Sequence, residues 1–314
     1  MHIIELGRGK YSDCFKVKDS KGHAVALKLS YYQEDTIRAF AKHAHHGDKG
    51  SAHIAKDQDA ISVSMAMSEV AKQMKLHGVS PHFVKVYCEA DIRYLPLRLR
   101  PFLKHRLPHL TPNQTKYSHV CLMELYACNL TTYLLTCPAT DAILRAMLFQ
   151  VFYTLACLQA VFPGFRHNDL SANNVLVKRA KHPCTAYACH HDTFYACCPL
   201  MVALADFDFT HVPGHDVLSN ERVLSGKYNI TATPNDSYDV HTLLKSVYAC
   251  LKLKNACPQT MAFIRSLKLD PARERLSHCV RHLVPATLLQ HPFFDALKDP
   301  RLARRCDKAY TMPR

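Results

Sequence analysis

The stretch His167-Asn168-Asp169-Leu170-Ser171-Ala172-Asn173-Asn174-Val175-Leu176 constrains this chain more than any other. It follows an apolar-rich segment, Leu144–Val161, whose composition predicts a helix buried beneath the loop. After a second apolar run comes Ala205-Asp206-Phe207-Asp208. The loop thus offers a carboxylate, an amide five residues later and, downstream, another carboxylate. Asp169 suits the acceptance of a hydroxyl proton, and Asn174 and Asp206 are hard oxygen donors of the kind that hold a divalent metal. Taken singly, each is as readily a polar turn residue capping an element, so the remaining segments must supply the other parts of such a site.

The chain has 314 residues, long enough for two lobes with sizeable cores, and at 48% hydrophobic it reads as globular. No apolar run approaches the length needed to span a bilayer. Met1-His2-Ile3-Ile4-Glu5-Leu6 has neither the charged nor the apolar region of a signal peptide, so a cytosolic or nuclear setting is expected. In that setting the 14 cysteines are read as thiols rather than disulfides. The net charge of +14 is spread in modest clusters at Arg98–Arg106, Lys178–Lys181 and Arg301–Arg305. None is interleaved with stacking aromatics, which argues against nucleic acid as the main partner.

Residues 3–29 read as three strands, the first two joined by a glycine-containing turn and the last two by Asp19-Ser20-Lys21-Gly22. Residues 31–60 read as a polar loop that includes the His-rich run His43–His46. Met67, Val70, Ala71 and Met74 recur at helical spacing and predict a helix over 61–76, ended by Gly78. Pro81–Tyr87 and His119–Leu125 read as strands, and 93–116, with four prolines and many basic residues, as a loop insertion. Helices are expected at Leu144–Val161, Tyr238–Leu253 and Pro285–Leu297. Strands crowd the first 125 residues and helices the rest, which predicts a sheet-rich lobe, a larger helical lobe and a nucleotide cleft.

The first turn reads Leu6-Gly7-Arg8-Gly9-Lys10-Tyr11-Ser12-Asp13-Cys14. Glycine leaves room for backbone N–H groups to approach phosphate oxygens, although a hairpin needs it equally. No helix follows the glycines, as a dinucleotide-binding fold would require. Lys28 ends Val25-Ala26-Leu27-Lys28; Glu69, on the next helix, is its candidate ion partner in preference to Glu34. Met123-Glu124-Leu125-Tyr126 closes a strand, Tyr238-Asp239-Val240-His241 opens a long helix, and Leu288-Leu289-Gln290-His291-Pro292-Phe293-Phe294 lies near the end.

In this order the segments resemble the protein kinases, with their glycine-rich loop, Val-Ala-Ile-Lys strand, His-Arg-Asp-x-x-x-x-Asn loop and Asp-Phe-Gly. The resemblance implies an α+β, bilobal fold: a small N-terminal antiparallel β-sheet lobe with one main helix, and a larger, mainly helical C-terminal lobe. It implies a kinase domain over 1–297, with lobes 1–123 and 129–297 about a hinge at 124–128, and a basic tail over 298–314. It implies transfer of the γ-phosphoryl group of ATP, with Mg²⁺, to Ser or Thr hydroxyls of protein substrates. Carried over residue by residue, Leu6 to Cys14 would cradle the phosphates, and Lys28, held by Glu69, would contact the α- and β-phosphates. Glu124 and Tyr126 would hold adenine through backbone groups, with Met123 at the back of the pocket. Asp169 would be the base, Asn174 and Asp206 the magnesium ligands, and Asp239 the buried tie to the catalytic loop.

Several positions depart from that family. Asn168 replaces the Arg that reads an activation-loop phosphate, so activity without such phosphorylation is expected. Asp208 replaces Gly; if that position needs φ > 0, the cost over Gly is roughly 1 kcal/mol. Ser171 stands where Ser/Thr kinases carry Lys, and no Ala-Pro-Glu occurs between Asp208 and Asp239. The pattern looks like divergent kinases encoded by large DNA viruses. A small-molecule kinase of the choline or aminoglycoside type shares the His-x-Asp loop, and a non-catalytic scaffold is the rival from another class. Between Val177 and Leu200, Cys184, Cys189, Cys197 and Cys198 with His182, His190 and His191 form a set able to bind Zn²⁺. Their adjacent pairs are not Cys-x₂-Cys spacing, so a flexible hairpin is expected there instead.

Overall fold

The computed structural model describes residues 2–9, 11–18, 21–32, 34, 36–37, 60–189, 191–220, 223, 230, 233–269 and 282–313. Lys10, His43–His46 and His190 lie outside the described residues. The structure is α+β and separates into two compact units, Met1–Ser68 with Lys85–Leu125, and Glu69–Val84 with Tyr126–Arg314.

The first unit is built on β1 (Ile3–Arg8), β2 (Ser12–Lys18), β3 (Ala24–Tyr31), β4 (Val86–Arg93) and β5 (Tyr117–Met123). They form one antiparallel sheet in the order β1-β2-β3-β5-β4. Helix α1 (Ala60–Leu76) runs between β3 and β4 and ends before Gly78, whose φ of 65° is the left-handed turn glycine accepts freely. In β2 the alternation is strict: Asp13, Phe15 and Val17 are buried on one face, and Cys14 and Lys16 point to the other.

What covers that buried face is the 93–116 insertion, which the sequence presents as a loop. Leu95, Leu99 and Leu103 recur every fourth residue and are all buried against Phe15, Val17, Leu29 and Tyr31. Two 3₁₀ turns, Arg100–Leu103 and Leu107–His109, each carry a proline in the first turn, where its missing N–H costs nothing. Each such leucine contributes roughly 1.5–3 kcal/mol by burial. The segment closes in α2 (Pro112–Lys116), held by a capping box between Thr111 and Gln114.

The second unit contains β6 (Cys128–Asn129), α3 (Leu130–Thr136), α4 (Asp141–Val161), β7 (Val175–Arg179), β8 (Cys184–Cys189), β9 (Asp192–Cys197) and β10 (Leu200–Leu204). It continues through α5 (Tyr238–Lys254), α6 (Pro258–Ser266), α7 (Pro285–Leu288), 3₁₀ helices at Pro292–Leu297 and Pro300–Arg305, and β11 (Lys308–Thr311). At 21 residues α4 does reach the length and apolarity a membrane span needs, contrary to the sequence expectation. Here it is a core helix, buried continuously from Ala146 to Leu158. Phe149 meets Phe194 at 4.8 Å, Tyr187 at 5.3 Å and Phe294 at 6.0 Å.

Three further expectations change. The Pro81–Tyr87 segment makes only an isolated bridge, Phe83 to Leu204, and the strand begins at Val86. The 178–200 insertion is a hairpin, β8 with β9, but its Tyr187 and Phe194 are buried core residues. The stretch read as a basic tail supplies β11, which pairs parallel to β8 and makes the three-stranded sheet β11-β8-β9. Within that sheet Cys184 and Cys197 are joined as a disulfide, contrary to the expectation of thiols throughout, because pairing of β8 with β9 sets them directly opposite each other; the other described cysteines are free thiols.

His82 locks the hairpin to its own segment. Its Nδ1 lies 2.9 Å from the Val202 carbonyl and its Nε2 2.7 Å from the Tyr187 hydroxyl. A carbonyl only accepts, so Nδ1 donates, and the neutral ring accepts the tyrosine O–H at Nε2. Burial pulls this histidine from 6.5 down to about 4. The unfolded chain therefore binds a proton that the folded chain refuses, and the stability present above pH 6.5 is lost as pH falls toward 4. At roughly 1.4 kcal/mol per pKa unit, this one side chain accounts for about 3 kcal/mol. Urea midpoints measured from pH 7 to pH 4 should fall, and His82→Gln should flatten that decline while lowering stability at pH 7.

Candidate active site

The loop from Arg166 to Asn174 is held from below by α5. Asp239, fully buried in the first turn of that helix, accepts from the backbone N–H of His167 at 2.7 Å and of Asn168 at 2.9 Å. One turn on, the Thr242 hydroxyl donates to the Leu170 carbonyl at 2.8 Å. A further turn on, Ser246 accepts from the Ala172 N–H at 2.8 Å. Positions i, i+3 and i+7 share one helix face, so a single face holds the backbone of four loop residues, His167, Asn168, Leu170 and Ala172. Thr242 and Ser246 have no place in the sequence reading, yet their spacing from Asp239 is the signal that would have found them.

The electrostatics around Asp239 are a balance. Burial drives its carboxyl above the usual range, while the two backbone N–H donors and the Arg166 guanidinium act the other way. Arg166 is itself wholly buried, and burial lowers its pKa against the attraction of Asp239. Its backbone exchanges two hydrogen bonds of 2.9 Å with His211, fastening the loop to the segment after Phe209.

Asn168, in the family's Arg position, has a structural role. Its φ of 65° lies in the left-handed region, where Asn is among the better-tolerated residues. Its side-chain amide donates to the Phe209 carbonyl at 2.9 Å. The other left-handed residue here is Asp206, with φ 65° and ψ 62°. Asp208 lies instead in the 3₁₀ turn Phe207–Phe209, so the conformational cost expected at Asp208 falls at Asp206. Phe207 packs against His167 at 4.8 Å and Phe83 at 6.1 Å.

The sheet brings the three chemical residues of this unit together. The β7–β10 ladder ends at Val175 opposite Leu204, and the next backbone bond runs from Ala205 N–H to the Asn174 carbonyl at 3.0 Å. Asp206 therefore follows directly on the residue bonded to Asn174. The Asn174 side-chain nitrogen donates to the Asp169 carbonyl at 2.7 Å and to its carboxylate at 3.1 Å. That use of the nitrogen leaves the amide oxygen as the donor atom for a cation. An amide oxygen beside a carboxylate is a hard donor set that fits Mg²⁺.

In the first unit, Lys28 is opposite Cys14 on one side and Cys121 on the other, and Cys121 is opposite Glu89. Lys28 and Glu89 thus share one row on the face turned away from the insertion. Glu89 lies 3.7 Å from His119, two residues before Cys121. Glu69, counted with the second unit, is exposed and accepts from Lys72 at 3.2 Å and Gln73 at 2.7 Å on its own helix. Glu34 is engaged elsewhere, by Thr111 at 2.6 Å and Asn113 at 2.7 Å. Glu89 has no place in the sequence reading, because only strand register reveals it.

Of the turn residues, Gly9 closes a tight turn through its N–H to the Ser12 carbonyl at 2.7 Å, and Tyr11 accepts from the Tyr31 N–H at 3.0 Å. Leu6 is exposed, Gly7 adjoins the bulge in β1, and Arg8 pairs with Glu5. Asp13 lies on the covered face, where its carboxylate takes the Tyr31 hydroxyl at 2.8 Å and Arg106 at 3.1 Å. Arg106 also reaches the Gly9 carbonyl, so the insertion holds the turn. After β5, Glu124 donates its N–H to the Lys85 carbonyl at 2.8 Å. Tyr126, in the second unit, is buried beneath the Lys178 ammonium, 4.8 Å from the ring centroid.

Residues 137–268 match the family model of the poxvirus serine/threonine protein kinases. Over 105 residues the chain is 34% identical to a protein of Acanthamoeba polyphaga mimivirus provisionally named a serine/threonine-protein kinase. That match covers 30% of this chain and 22% of the relative, so the chain spans about a fifth of that protein's length. The family match encloses the Asp169 loop, Asp206 and Asp239, and both likenesses are to viral serine/threonine kinases. Over these residues the chain is similar to viral serine/threonine kinases.

Asp239→Asn keeps the size of the side chain but turns an NH₂ group toward a backbone N–H. Unfolding in urea should show a loss of about 1–3 kcal/mol, the cost of a buried donor left facing a donor.

Proposed function

We propose that this chain is a protein kinase of bilobal form that transfers the γ-phosphoryl group of ATP to Ser or Thr hydroxyls of protein substrates. The observation that carries the reading is the convergence of Asp169, Asn174 and Asp206 through the β7–β10 ladder and the Asn174–Asp169 hydrogen bonds. The likeness to viral serine/threonine kinases supports the same reading and the choice of acceptor.

In this mechanism the Asp169 carboxylate, oriented by Asn174, receives the acceptor hydroxyl proton as the oxygen attacks the γ-phosphorus. Asn174 and Asp206 offer their oxygens to Mg²⁺, which when bound neutralises phosphate charge. Lys28 contacts the α- and β-phosphates, and the turn from Leu6 to Cys14 covers them. The backbone of Glu124 and Tyr126 receives adenine. Little covalent work falls to the protein, so rate comes from positioning and charge stabilisation.

Two carboxylates are candidates to orient Lys28. Glu69 has to exchange Lys72 and Gln73 for that task, whereas Glu89 already stands in the lysine's row. Because Asn168 is committed to Phe209, activity independent of activation-loop phosphorylation is part of this reading.

Radiolabelled ATP with Mg²⁺ should label Ser/Thr proteins and leave choline and aminoglycosides unlabelled. Asp169→Ala should lower kcat by about 10²–10⁴-fold while ATP binding persists; undiminished activity in that variant removes Asp169 from its role. Lys28→Met should abolish labelling, and of Glu69→Gln and Glu89→Gln the one that approaches that loss identifies the orienting carboxylate, with the register favouring Glu89.

A further inference from the structure

The sheet β11-β8-β9 collects sulfur from three separate places in the chain. Cys184 and Cys197 stand opposite each other on β8 and β9. The parallel pairing of Lys308 with Thr185 then sets Cys306, just before β11, alongside Cys184. The Cys306 Sγ is 3.5 Å from the Cys184 Sγ, and all three sulfurs lie within 4.8 Å of one another. A tetrahedral zinc ion with arms of about 2.3 Å holds its sulfurs about 3.8 Å apart; the 3.5 Å between Cys306 and Cys184 is close to that distance, and the Cys184–Cys197 pair can adopt it once its disulfide is opened.

Two neighbouring observations point the same way. A disulfide uses two sulfurs, and Cys306, 122 positions from Cys184, is surplus to it. His182, two residues before Cys184, lies outside the sulfur cluster with its Nδ1 3.7 Å from the carboxylate of Asp307, the residue after Cys306, so a carboxylate-paired imidazole is close enough along the chain to turn in as a fourth ligand. The other described cysteines remain thiols, including Cys198 immediately after Cys197.

We propose that Cys184, Cys197 and Cys306 bind one Zn²⁺ as thiolates, with His182 as the fourth ligand and Asp307 behind it. The site clamps the 178–200 hairpin to the C-terminal strand and takes no part in phosphoryl transfer. Formation from the disulfide requires a two-electron reduction by a small-molecule thiol, which is itself oxidised to its disulfide. Three thiol protons then pass to solvent as the ion binds. The insertion alone lacks paired metal-ligand spacing, and the third sulfur comes from outside it.

The test is zinc content by mass spectrometry of the full, untagged chain, purified with reductant, loaded with ZnCl₂ and dialysed. One equivalent per chain is expected for the wild type and for Cys189→Ser, whose thiol lies at the far end of the hairpin. Cys306→Ser, which leaves a Cys184–Cys197 disulfide possible, should lose the ion, and Asp307→Asn should weaken it about 10- to 100-fold. Equal zinc in wild type and Cys306→Ser, or none in the reduced wild type, overturns the proposal. If Cys306→Ser does not fold, Co²⁺ added to the reduced wild type decides: thiolate-to-cobalt charge-transfer absorption supports the site, and its absence overturns it.

Discussion

A single buried carboxylate sets the geometry on which the candidate site rests. Asp239 spends both oxygens on the backbone of His167 and Asn168, and in doing so fixes where Asp169 begins. A desolvated carboxylate without such donors would be costly, so the loop and the charge stabilise each other. Thr242 and Ser246 extend the same helix face, and Arg166 bridges from the loop to His211. The candidate side chains are therefore carried on backbone held by hydrogen bonds from one helix face and from His211.

Both insertions that interrupt the kinase-like pattern do structural work in their units. In the first, Leu95, Leu99 and Leu103 complete the core over Phe15 and Leu29, and Arg106 joins buried Asp13 to the turn at Gly9. The glycine-containing turn thus carries a tether supplied from nearly a hundred residues away. In the second, Tyr187 and Phe194 enter the aromatic cluster around Phe149, and His82 ties Tyr187 to the strand residue Val202. Removing either insertion would open a core, so neither is a dispensable appendage.

The glycine-containing turn, the lysine of β3, the long helices and the loop from His167 to Asn174 were legible from residue type and spacing. Those features are local: a period of two or 3.6, a turn residue, a side chain suited to metal or proton. The 93–116 segment was misread because its prolines suggest a loop, while its leucines at every fourth residue carry the burial signal. Pro81–Tyr87 was misread because a short apolar run does not reveal that a histidine ring will be its anchor. The condition attached to Asp208, a positive φ, is met instead at Asp206, because the turn after β10 falls two residues earlier.

By itself the sequence determined the α+β character, the succession of strands and helices, and which side chains can hold a metal or take a proton. Tertiary structure decided which of them meet. Register alone put Glu89 in the row of Lys28, the β7–β10 ladder joined Asn174 to the residue before Asp206, and parallel pairing carried Cys306 to Cys184. It also decided the electrostatic character of Asp239 and His82, because burial and hydrogen-bond partners come from segments distant in the chain. Spacing along a chain encodes local geometry; pairing between distant segments and exclusion of water arise only when the whole chain has packed.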